Sequence, residues 1–323
     1  MDIVQQSKAI GVDIGGTKIA AGLVDSAGRI VRQLRRETPK SDAQTVERTI
    51  VDLVTELSAG EAGIPVGVGA AGWMDAAGEN VLFSPHLAWR NEPVRARLRD
   101  LMGAEVTLVN DADAAGWAEY RFGAARAESD VVCLTLGTGI GGAMILGGEV
   151  YRGRFGVAGE FGHQVIVPGG HRCACGNRGC WEQYASGNAL GRDGAELVRS
   201  GSPVAHNLIA AVNGAPEEVT GAIVTRLAAE GDPACRDLIS EMGQWLGLGI
   251  ANLSAVLDPG MIVIGGGLGA ASAQLVATAD ESYRKTLSGR GYRPYAVVAQ
   301  AQLGAEAGLI GAADLARRNH NTD

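Results

Sequence analysis

The sequence predicts an α/β protein made of two similar halves. Short β-rich runs alternate with helical patterns along the chain, which is typical of sheets covered by helices. A strand, a glycine turn and a second strand occur twice in this order, at residues 10–24 and 131–146. The 323 residues are sufficient for two domains of ordinary size. We therefore expect two α/β halves of related design.

The first half is predicted to begin with three strands, and a turn at Ser26–Gly28 joins the second to the third. A helix starts near Ser41, where Ser41 and Gln44 form a capping-box pattern, and Gly60 ends it. The predicted elements in chain order are strands at Ala9–Ile14, Ile19–Asp25 and Ile30–Arg35, the helix from about residue 41, strands at Val66–Ala71 and Val106–Val109, and a helix at Ala112–Phe122.

The second half repeats this opening with a strand, a glycine turn and a return strand. Pro233, preceded by Asp232, begins a long helix that runs to Leu257, where Asp258-Pro259-Gly260 ends it. The other predicted elements are strands at Val131–Leu136, Gly142–Leu146, Met261–Ile264 and Val297–Ala301, and a last helix at about 305–317.

Composition and charge exclude some classes of function. Hydrophobic residues make up 46% and charged residues 20% of the chain, which is typical of a globular protein. The net charge of −8 argues against a nucleic-acid-binding surface, which requires a basic face. Residues 1–6 lack the basic start and apolar core of a signal peptide, and no apolar run approaches the ~18 residues of a membrane span. We expect a cytoplasmic protein without nucleic-acid or membrane partners.

Three of the five cysteines lie within eight residues, at Cys173, Cys175 and Cys180, downstream of two histidines. This pattern predicts a zinc site, because Zn²⁺ takes four sulfur or nitrogen ligands in a tetrahedron. The tight spacing suits a metal better than disulfides. Spacing alone favours His171 over His163 as the fourth ligand, and a reduced cluster without metal is the remaining alternative.

Glycine-rich turns follow three predicted strands, and 48 of the 323 residues are glycine. The turns at Asp13–Lys18 and Leu136–Gly142 occupy matching places in the two halves, and backbone N–H groups in such turns can face a phosphate. The first turn lacks the spacing of a Walker A loop. Each turn alone could be an ordinary hairpin, but the pair is more specific for a nucleotide. Gly265–Gly267 either offers bare backbone to a flat ligand or packs at a helix N-terminus.

Polar side chains that could bind or activate a hydroxyl occur at two places. Asn110 and Asp111 follow a predicted strand, and ligand sites in α/β sheets gather at the carboxyl ends of strands. A carboxylate there can act as a general base, although a helix N-cap is the alternative, and Asp113 could take that role too. Glu160 and Glu182 flank the cysteines and could hold vicinal hydroxyls of a sugar, or be solvated surface charges.

Taken together, these motifs resemble those of the ROK family of repressors, open reading frames and sugar kinases. The motif G-H-x9-C-x-C-G-x2-G-C-x-E matches without a gap from Gly162 to Glu182. D-x-G-G-T-K at Asp13–Lys18, E-x-G-H at Glu160–His163 and N-D-A-D at Asn110–Asp113 match as well. The resemblance covers essentially the whole chain.

The resemblance implies an actin-like ATPase (ribonuclease H-like) fold, with two α/β domains around a substrate cleft. Residues 1–118 would form the smaller domain, completed by a C-terminal helix at about 304–323. Residues 119–303 would form the larger domain, which carries the zinc site.

The resemblance also implies roles for the site residues. Asp111 is the general base that takes the proton of the sugar hydroxyl. His163, and not His171, completes a structural Zn²⁺ site with Cys173, Cys175 and Cys180. The implied sugar ligands are Gly72, Asn110, Asp111, Glu160, His163 and Glu182. The implied nucleotide ligands are Asp13, Gly15, Gly16, Thr17, Lys18, Gly137, Thr138, Gly139, Gly265, Gly266 and Gly267. Mg²⁺ would arrive with ATP, near Asp13.

The expected function is ATP-dependent phosphorylation of glucose on its 6-hydroxyl. The runs Cys180–Leu190 and Ser84–Trp89 are similar to those of actinobacterial glucokinases. The alternatives are a kinase for fructose, mannose, N-acetylmannosamine or N-acetylglucosamine, or a sugar-responsive repressor. A repressor would carry a helix-turn-helix of about 70 residues before the phosphate turn, and Asp13 leaves no room for one. The cysteine motif favours ATP over polyphosphate, and the family suggests a homodimer or homotetramer.

Overall fold

Strands and helices alternate through the computed structural model, which describes residues 8–39, 42–85 and 87–320 and confirms the predicted α/β class. Ser41 and the residues 1–6 that were assessed as a leader lie outside the described ranges. The strands are β1 (Ala9–Ile14), β2 (Lys18–Val24), β3 (Ile30–Glu37), β4 (Val66–Ala70), β5 (Trp73–Met74), β6 (Val81–Phe83), β7 (Arg90–Glu92), β8 (Val106–Asn110), β9 (Val131–Leu136), β10 (Ile140–Leu146), β11 (Glu149–Val150), β12 (Met261–Gly265) and β13 (Val297–Gln300). The α-helices are α1 (Ala43–Ser58), α2 (Val94–Met102), α3 (Asp111–Phe122), α4 (Gly187–Arg199), α5 (His206–Ala211), α6 (Gly221–Glu230), α7 (Pro233–Leu257), α8 (Gly266–Ala271), α9 (Ala273–Thr286) and α10 (Ala307–His320).

Two compact units divide the chain, and neither is continuous in sequence. The first holds the described residues up to Ala127, Ala143–Gly159 and those from Ala305 onward. The second holds Glu128–Gly142 and Glu160–Gly304. The predicted boundary between residues 118 and 119 falls inside α3, and the first unit contains that whole helix.

Parallel strands in the first unit bring three predicted site segments to one edge of a sheet. The strand order is β3-β2-β1-β4-β8. β4 runs parallel to both β1 and β8, with Asp13 opposite Gly69 and Ala70 opposite Asn110. The carboxyl ends of these strands therefore lie side by side, which is where α/β sheets bind ligands.

The two faces of this sheet are covered in different ways. Side chains alternate along β1, and Val12 and its neighbours on that face join the hydrophobic core that includes α1. The opposite face carries glycine where α10 crosses it. A Cβ added to Gly11 would lie 1.8 Å from the carbonyl oxygen of Leu309, and one at Gly67 would lie 1.9 Å from that of Ala312. Helix α10 thus lies directly on the backbone of β1 and β4.

A buried charge network fastens α10 to the rest of the first unit. The Asp314 carboxylate accepts hydrogen bonds from the Trp117 indole at 2.9 Å, Arg121 at 3.0 Å and Arg317 at 2.6 Å. Arg317 also donates to the carbonyl oxygen of Val24 at the end of β2, at 3.0 Å. No local sequence signal marks this network, since it joins residues 117–121 to residues 314–317, almost 200 positions further along the chain.

The second five-stranded sheet has the order β11-β10-β9-β12-β13. β12 runs parallel to β9 and to β13. The predicted long helix is confirmed as α7: the Asp232 side chain caps it by accepting from the backbone N–H of Cys235 at 2.8 Å, and Asp258 ends it in the left-handed region with φ 47°. Within the ranges described, no helix combines the length and apolarity needed to cross a membrane.

Two features of the first unit differ from expectation. Asp42 caps α1 by accepting from the backbone N–H of Thr45 at 2.8 Å, whereas the capping box had been assigned to Ser41 and Gln44. A small antiparallel sheet, β5-β6-β7, lies between β4 and α2 in sequence and was not predicted. Its strands have two or three residues each, too few to show an alternating pattern.

Candidate active site

Asp13 lies near the carboxyl end of β1, beside the first turn of α10. A Cβ added to Gly308 would lie 3.0 Å from the Asp13 carboxyl carbon. Burial raises the pKa of Asp13 to about 7, the negative charges of Asp111 and Glu306 add to this effect, and Lys18 opposes it. Asp13, Asp111 and Glu306 thus lie close enough at this edge of the sheet for their carboxyl groups to interact.

The turn after β1 presents backbone N–H groups outward. The N–H of Gly15 donates to the carbonyl of Lys18 at 3.0 Å, and the Thr38 hydroxyl donates to the carbonyl of Gly15 at 2.7 Å. Because C=O and the following N–H point in opposite directions in a trans peptide, the N–H of Gly16 faces away from Thr38. Gly16, Thr17 and Lys18 are exposed, as a phosphate-binding turn requires.

Asn110 caps α3 and also supports the backbone at Gly72. Its Oδ1 accepts from the N–H groups of Ala112 at 2.8 Å and Asp113 at 3.1 Å, and its Nδ2 donates to the Gly72 carbonyl at 3.0 Å. Gly72 has φ 133°, and a Cβ there would lie 2.2 Å from the carbonyl oxygen of Phe83. The N-cap alternative is therefore confirmed for Asn110, whose amide is engaged within the protein.

The two aspartates that follow Asn110 have different environments. Asp111 is the first residue of α3 and is half-buried, and its Oδ1 accepts from the N–H of Ala112 at 3.0 Å. Asp113 is buried and lies 3.6 Å from Nε of Arg152. Asn110 is thus the cap, Asp113 lies beside Arg152, and Asp111 is half-buried at the first position of the helix.

The cysteine cluster of the second unit has the dimensions of a zinc site. One ligand atom each from His163, Cys173, Cys175 and Cys180 lies within 4.8 Å of all the others. Cys173 Sγ lies 3.6 Å from His163 Nδ1, and Cys175 Sγ lies 3.6 Å from Cys180 Sγ. Zinc bond lengths give tetrahedral edges of about 3.6 Å for S···N and about 3.8 Å for S···S. The residues therefore fit Zn²⁺.

His171, which spacing favoured, is not part of this cluster. Its ring lies 5.2 Å from the Tyr184 ring, and its backbone N–H donates to the Tyr184 hydroxyl at 3.0 Å. The chain folds back so that Val165 pairs with Cys180, and this pairing brings the more distant His163 to the cysteines. Distance along the chain was a poor guide because it ignores this reversal.

His163 lies between two carboxylates. Its Nε2 lies 3.8 Å from Glu160 Oε2, and its Nδ1 lies 3.7 Å from Glu182 Oε1. Burial raises the pKa of the Cys173 thiol, which donates to Glu182 Oε1 at 3.1 Å. The imidazole thus directs one nitrogen to the cysteines and the other to Glu160. Glu160, His163 and Glu182 therefore form one polar group.

The turn after β9 is held from one side by α4. The N–H of Gly187 donates to the carbonyl of Gly137 at 2.8 Å, and that of Asn188 donates to the carbonyl of Thr138 at 3.3 Å. Since both carbonyls point toward α4, the N–H groups of Thr138 and Gly139 point away from it. These two amides are available to an anion.

The glycines of the Gly265–Gly267 segment were expected either to pack closely or to leave bare backbone for a ligand, and the structure shows features of both. Gly266 has φ 77°, and a Cβ there would lie 2.4 Å from the carbonyl oxygen of Leu136, so close packing requires this glycine. A Cβ at Gly265 would lie 3.0 Å from that of Ala301. A Cβ added to Gly267 would meet nothing within 4 Å, so there is open space beside this residue.

The predicted site residues fall into two groups, one in each compact unit. The first unit holds Asp13, Gly15, Gly16, Thr17, Lys18, Gly72, Asn110 and Asp111, and the second holds Gly137, Thr138, Gly139, Glu160, His163, the three clustered cysteines, Glu182 and Gly265–Gly267. Sequence reasoning missed Glu306, which accepts from Gln33 at 2.7 Å and Arg35 at 2.7 Å and so fixes the start of α10 beside Asp13. Arg152 was missed as well, because no motif marks either residue.

Two sheets, each with a glycine turn after its leading strand, define the class: this is the actin-like ATPase fold. The family model for the ROK family matches residues 9–319, so the chain belongs to the ROK family.

Similar proteins cover nearly the whole chain. The chain is 42% identical to a glucokinase of Streptomyces coelicolor over 95% of this chain and 97% of that protein. A ROK family glucokinase from Streptomyces griseus, solved with glucose and AMPPNP, matches with a TM-score of 0.87 and 44% identity over 96% of this chain and 99% of the other. A ROK hexokinase from Thermus thermophilus matches with a TM-score of 0.80 and 36% identity over 98% and 100%.

Proposed function

We propose that this chain is an ATP-dependent glucokinase, which transfers the γ-phosphoryl group to the 6-hydroxyl of glucose. The observation that carries the proposal is the near full-length likeness to the Streptomyces griseus glucokinase, whose structure holds glucose and an ATP analogue. The site residues fit this activity, since they supply a carboxylate, outward backbone amides and a group of polar side chains that could bind hydroxyls.

Four residues have roles proposed on the sugar side of the reaction. Glu160, His163 and Glu182 present two carboxylates and an imidazole nitrogen that can bind neighbouring hydroxyls. Asp111 accepts the proton of the 6-hydroxyl as that oxygen attacks the γ-phosphorus. The Asn110 side chain links the start of α3 to the backbone at Gly72. General-base help and fixed orientation together account for the part that protein side chains play in phosphoryl transfer.

Each glycine turn offers groups that could bind phosphate. The amides of Gly16, Thr138 and Gly139 would donate to phosphate oxygens, and Lys18 would add a positive charge. Mg²⁺ bound with ATP would offset phosphate charge, and the concentration of carboxylates around Asp13 suits this hard cation. Gly265–Gly267 would lie near the adenosine, with Gly267 leaving the open space.

Zinc would have a structural role in this enzyme. His163 and the three cysteines supply four ligands, which completes a tetrahedron and leaves no position for substrate. The ion would hold His163 Nδ1 and so fix the direction of the imidazole toward Glu160. The ion would hold its four ligands in place and take no part in the reaction, in which Asp111 would accept the proton.

A coupled assay of ADP release tests the proposal. The purified protein is given glucose, fructose, mannose, N-acetylmannosamine and N-acetylglucosamine in turn, with ATP and with polyphosphate as donors. We expect glucose with ATP to give the highest kcat/KM. A higher kcat/KM for another hexose would show that this hexose, and not glucose, is the preferred substrate. No turnover with any of the sugars would show that the protein is not a hexose kinase.

We further propose that the protein is cytoplasmic and forms a homodimer or homotetramer. Light scattering coupled to gel filtration measures the mass of the assembly directly. A mass of one chain at the concentration of the kinetic assay would contradict the oligomer.

A further inference from the structure

The Glu182 carboxylate lies between the cysteine cluster and the turn at Gly137–Gly139. Its Oε1 accepts from Cys173 Sγ at 3.1 Å and lies 3.7 Å from His163 Nδ1. Its Oε2 would be 2.5 Å from a Cβ added to Gly139. One carboxylate therefore contacts two of the four metal-ligating side chains with one oxygen, and occupies the side-chain position of Gly139 with the other.

The segment that carries Glu182 also joins these two places through the backbone. It starts at the cluster residue Cys180 and ends at Gly187 and Asn188, whose N–H groups bind the carbonyls of the turn. Between them Trp181 is fully buried, and its indole N–H donates to the carbonyl of Trp245 at 2.9 Å. A segment anchored at its start, middle and end transmits a displacement rather than absorbing it.

We propose that Glu182 is a positioning residue that couples the metal centre to the phosphate-binding turn, so that metal and nucleotide bind cooperatively. This inference rests on the proposed function in one respect: the ligand of the turn is taken to be a nucleotide. A bound metal would take the Cys173 proton and His163 Nδ1, so it would act on Glu182 through Cys180, the ligand two residues before it. Glu182 in turn sets the position of Gly139. Binding linkage is reciprocal, so a nucleotide on the turn must tighten the metal centre by the same factor.

Gly139→Ala is the direct test, because the added methyl group displaces the mobile end of Glu182 rather than backbone. Gly137→Ala is the matched control: it lies in the same turn, and its Cβ meets nothing within 4 Å. Neither glycine has a positive φ, so alanine suits the backbone at both positions. Zinc transfer from the metal-loaded protein to a colorimetric chelator gives a release rate, and calorimetry gives the ADP affinity, both without sugar.

We expect Gly139→Ala to release zinc about fivefold faster than wild type, or more, and Gly137→Ala to release it at the wild-type rate. Saturating ADP should slow zinc release from wild type by a similar factor, and this protection should be lost in Gly139→Ala. Equal release rates in the two alanine variants, or no effect of ADP on wild type, would overturn the coupling.

Glu182→Ala provides a second variant that leaves the sequence of the turn unchanged. It should bind ADP without any protection of zinc, and circular dichroism confirms that each variant is folded. The coupling and the proposed function can fail separately. If ADP slows zinc release but the protein phosphorylates no sugar, only the proposed function is refuted. If the protein phosphorylates glucose but ADP does not change zinc release, only the coupling is refuted.

Discussion

Asp13 shows how one carboxylate sets part of the pH dependence of stability. Its pKa of about 7 in the folded chain lies above the ordinary value of 3.8. Folding thus favours the protonated form, and this contribution is full below the ordinary pKa and is lost as the pH rises through about 7. The free energy of unfolding of Asp13→Asn, relative to wild type, should therefore rise by at most ~4 kcal/mol from about pH 4 to about pH 8.

Urea denaturation of both proteins without nucleotide, at a series of pH values, measures this difference. Titrating groups that do not interact with Asp13 cancel because they are common to the two proteins. Stability curves that run parallel over the whole range would show that Asp13 is not the group responsible.

Asp111 is the residue on which the chemistry depends. Asp111→Asn keeps the size of the side chain and its place in α3 but cannot accept a proton. We expect kcat to fall by about 10²- to 10⁴-fold while the dissociation constant for glucose stays within about threefold. Steady-state kinetics and calorimetry measure the two quantities. Asp52→Asn, an exposed carboxylate on α1, is the control, and turnover near wild type in Asp111→Asn would remove the general-base assignment.

Single residues show where sequence reasoning succeeds and where it stops. The cysteine motif predicted a four-ligand cluster because the spacing is short and the chemistry of thiolates is specific. Choosing the histidine from spacing failed, because a reversal between His163 and Cys180 decides which imidazole arrives. The double use of Asn110 as cap and support for Gly72 depends on a partner 38 residues away, which no local pattern encodes.

Among the elements, α10 depends on glycines of the sheet that it covers. A Cβ at Gly67 would lie 1.9 Å from the carbonyl oxygen of Ala312, and neither backbone can move without separating the helix from the sheet. We expect Gly67→Ala to lower the free energy of unfolding by ~3 kcal/mol or more. Denaturant titration measures the loss. Gly267→Ala, which meets nothing within 4 Å, should show no loss, and equal effects would argue against close packing as the cause.

The charge network on α10 gives a second prediction for the same helix. Asp314→Ala leaves the positive charge of Arg317 buried without its carboxylate, and should lower the free energy of unfolding by ~3 kcal/mol or more. Glu230→Ala removes an exposed partner of Arg226 and should change the free energy by less than ~0.5 kcal/mol. Chemical denaturation compares the two variants, and similar small losses would mean that water reaches the network.

Elements with strong local signals were predictable, and those defined by packing were not. Helix α7 was predicted from Pro233 to Leu257 because proline, an aspartate cap and a closing Asp-Pro-Gly mark its ends. The β5-β6-β7 sheet was missed because its strands exist only through their pairing. The glycines of β1 and β4 were visible in the sequence, but their purpose became clear only when α10 was seen against them.

At the scale of the whole molecule, the proposed zinc site can be tested by measuring the metal content of the protein. Cys175→Ser removes one of four predicted ligands and should reduce bound zinc from about one ion per chain to a small fraction. Atomic emission spectroscopy of the purified protein measures the metal, and the melting temperature should fall with it. Cys235→Ala also removes a thiol but lies outside the cluster, so it should keep its zinc. Full zinc in Cys175→Ser would contradict the ligand set.

The discontinuous first unit has a consequence for biosynthesis. Its sheet is complete once β8 has been made, yet the face bearing Gly11 and Gly67 is covered by α10, residues Ala307–His320. The ribosome must first synthesise all of Glu160–Gly304, which belongs to the other unit. A nascent chain can therefore assemble its second unit while the first still exposes bare sheet, and during that interval the first unit is open to aggregation and to chaperones.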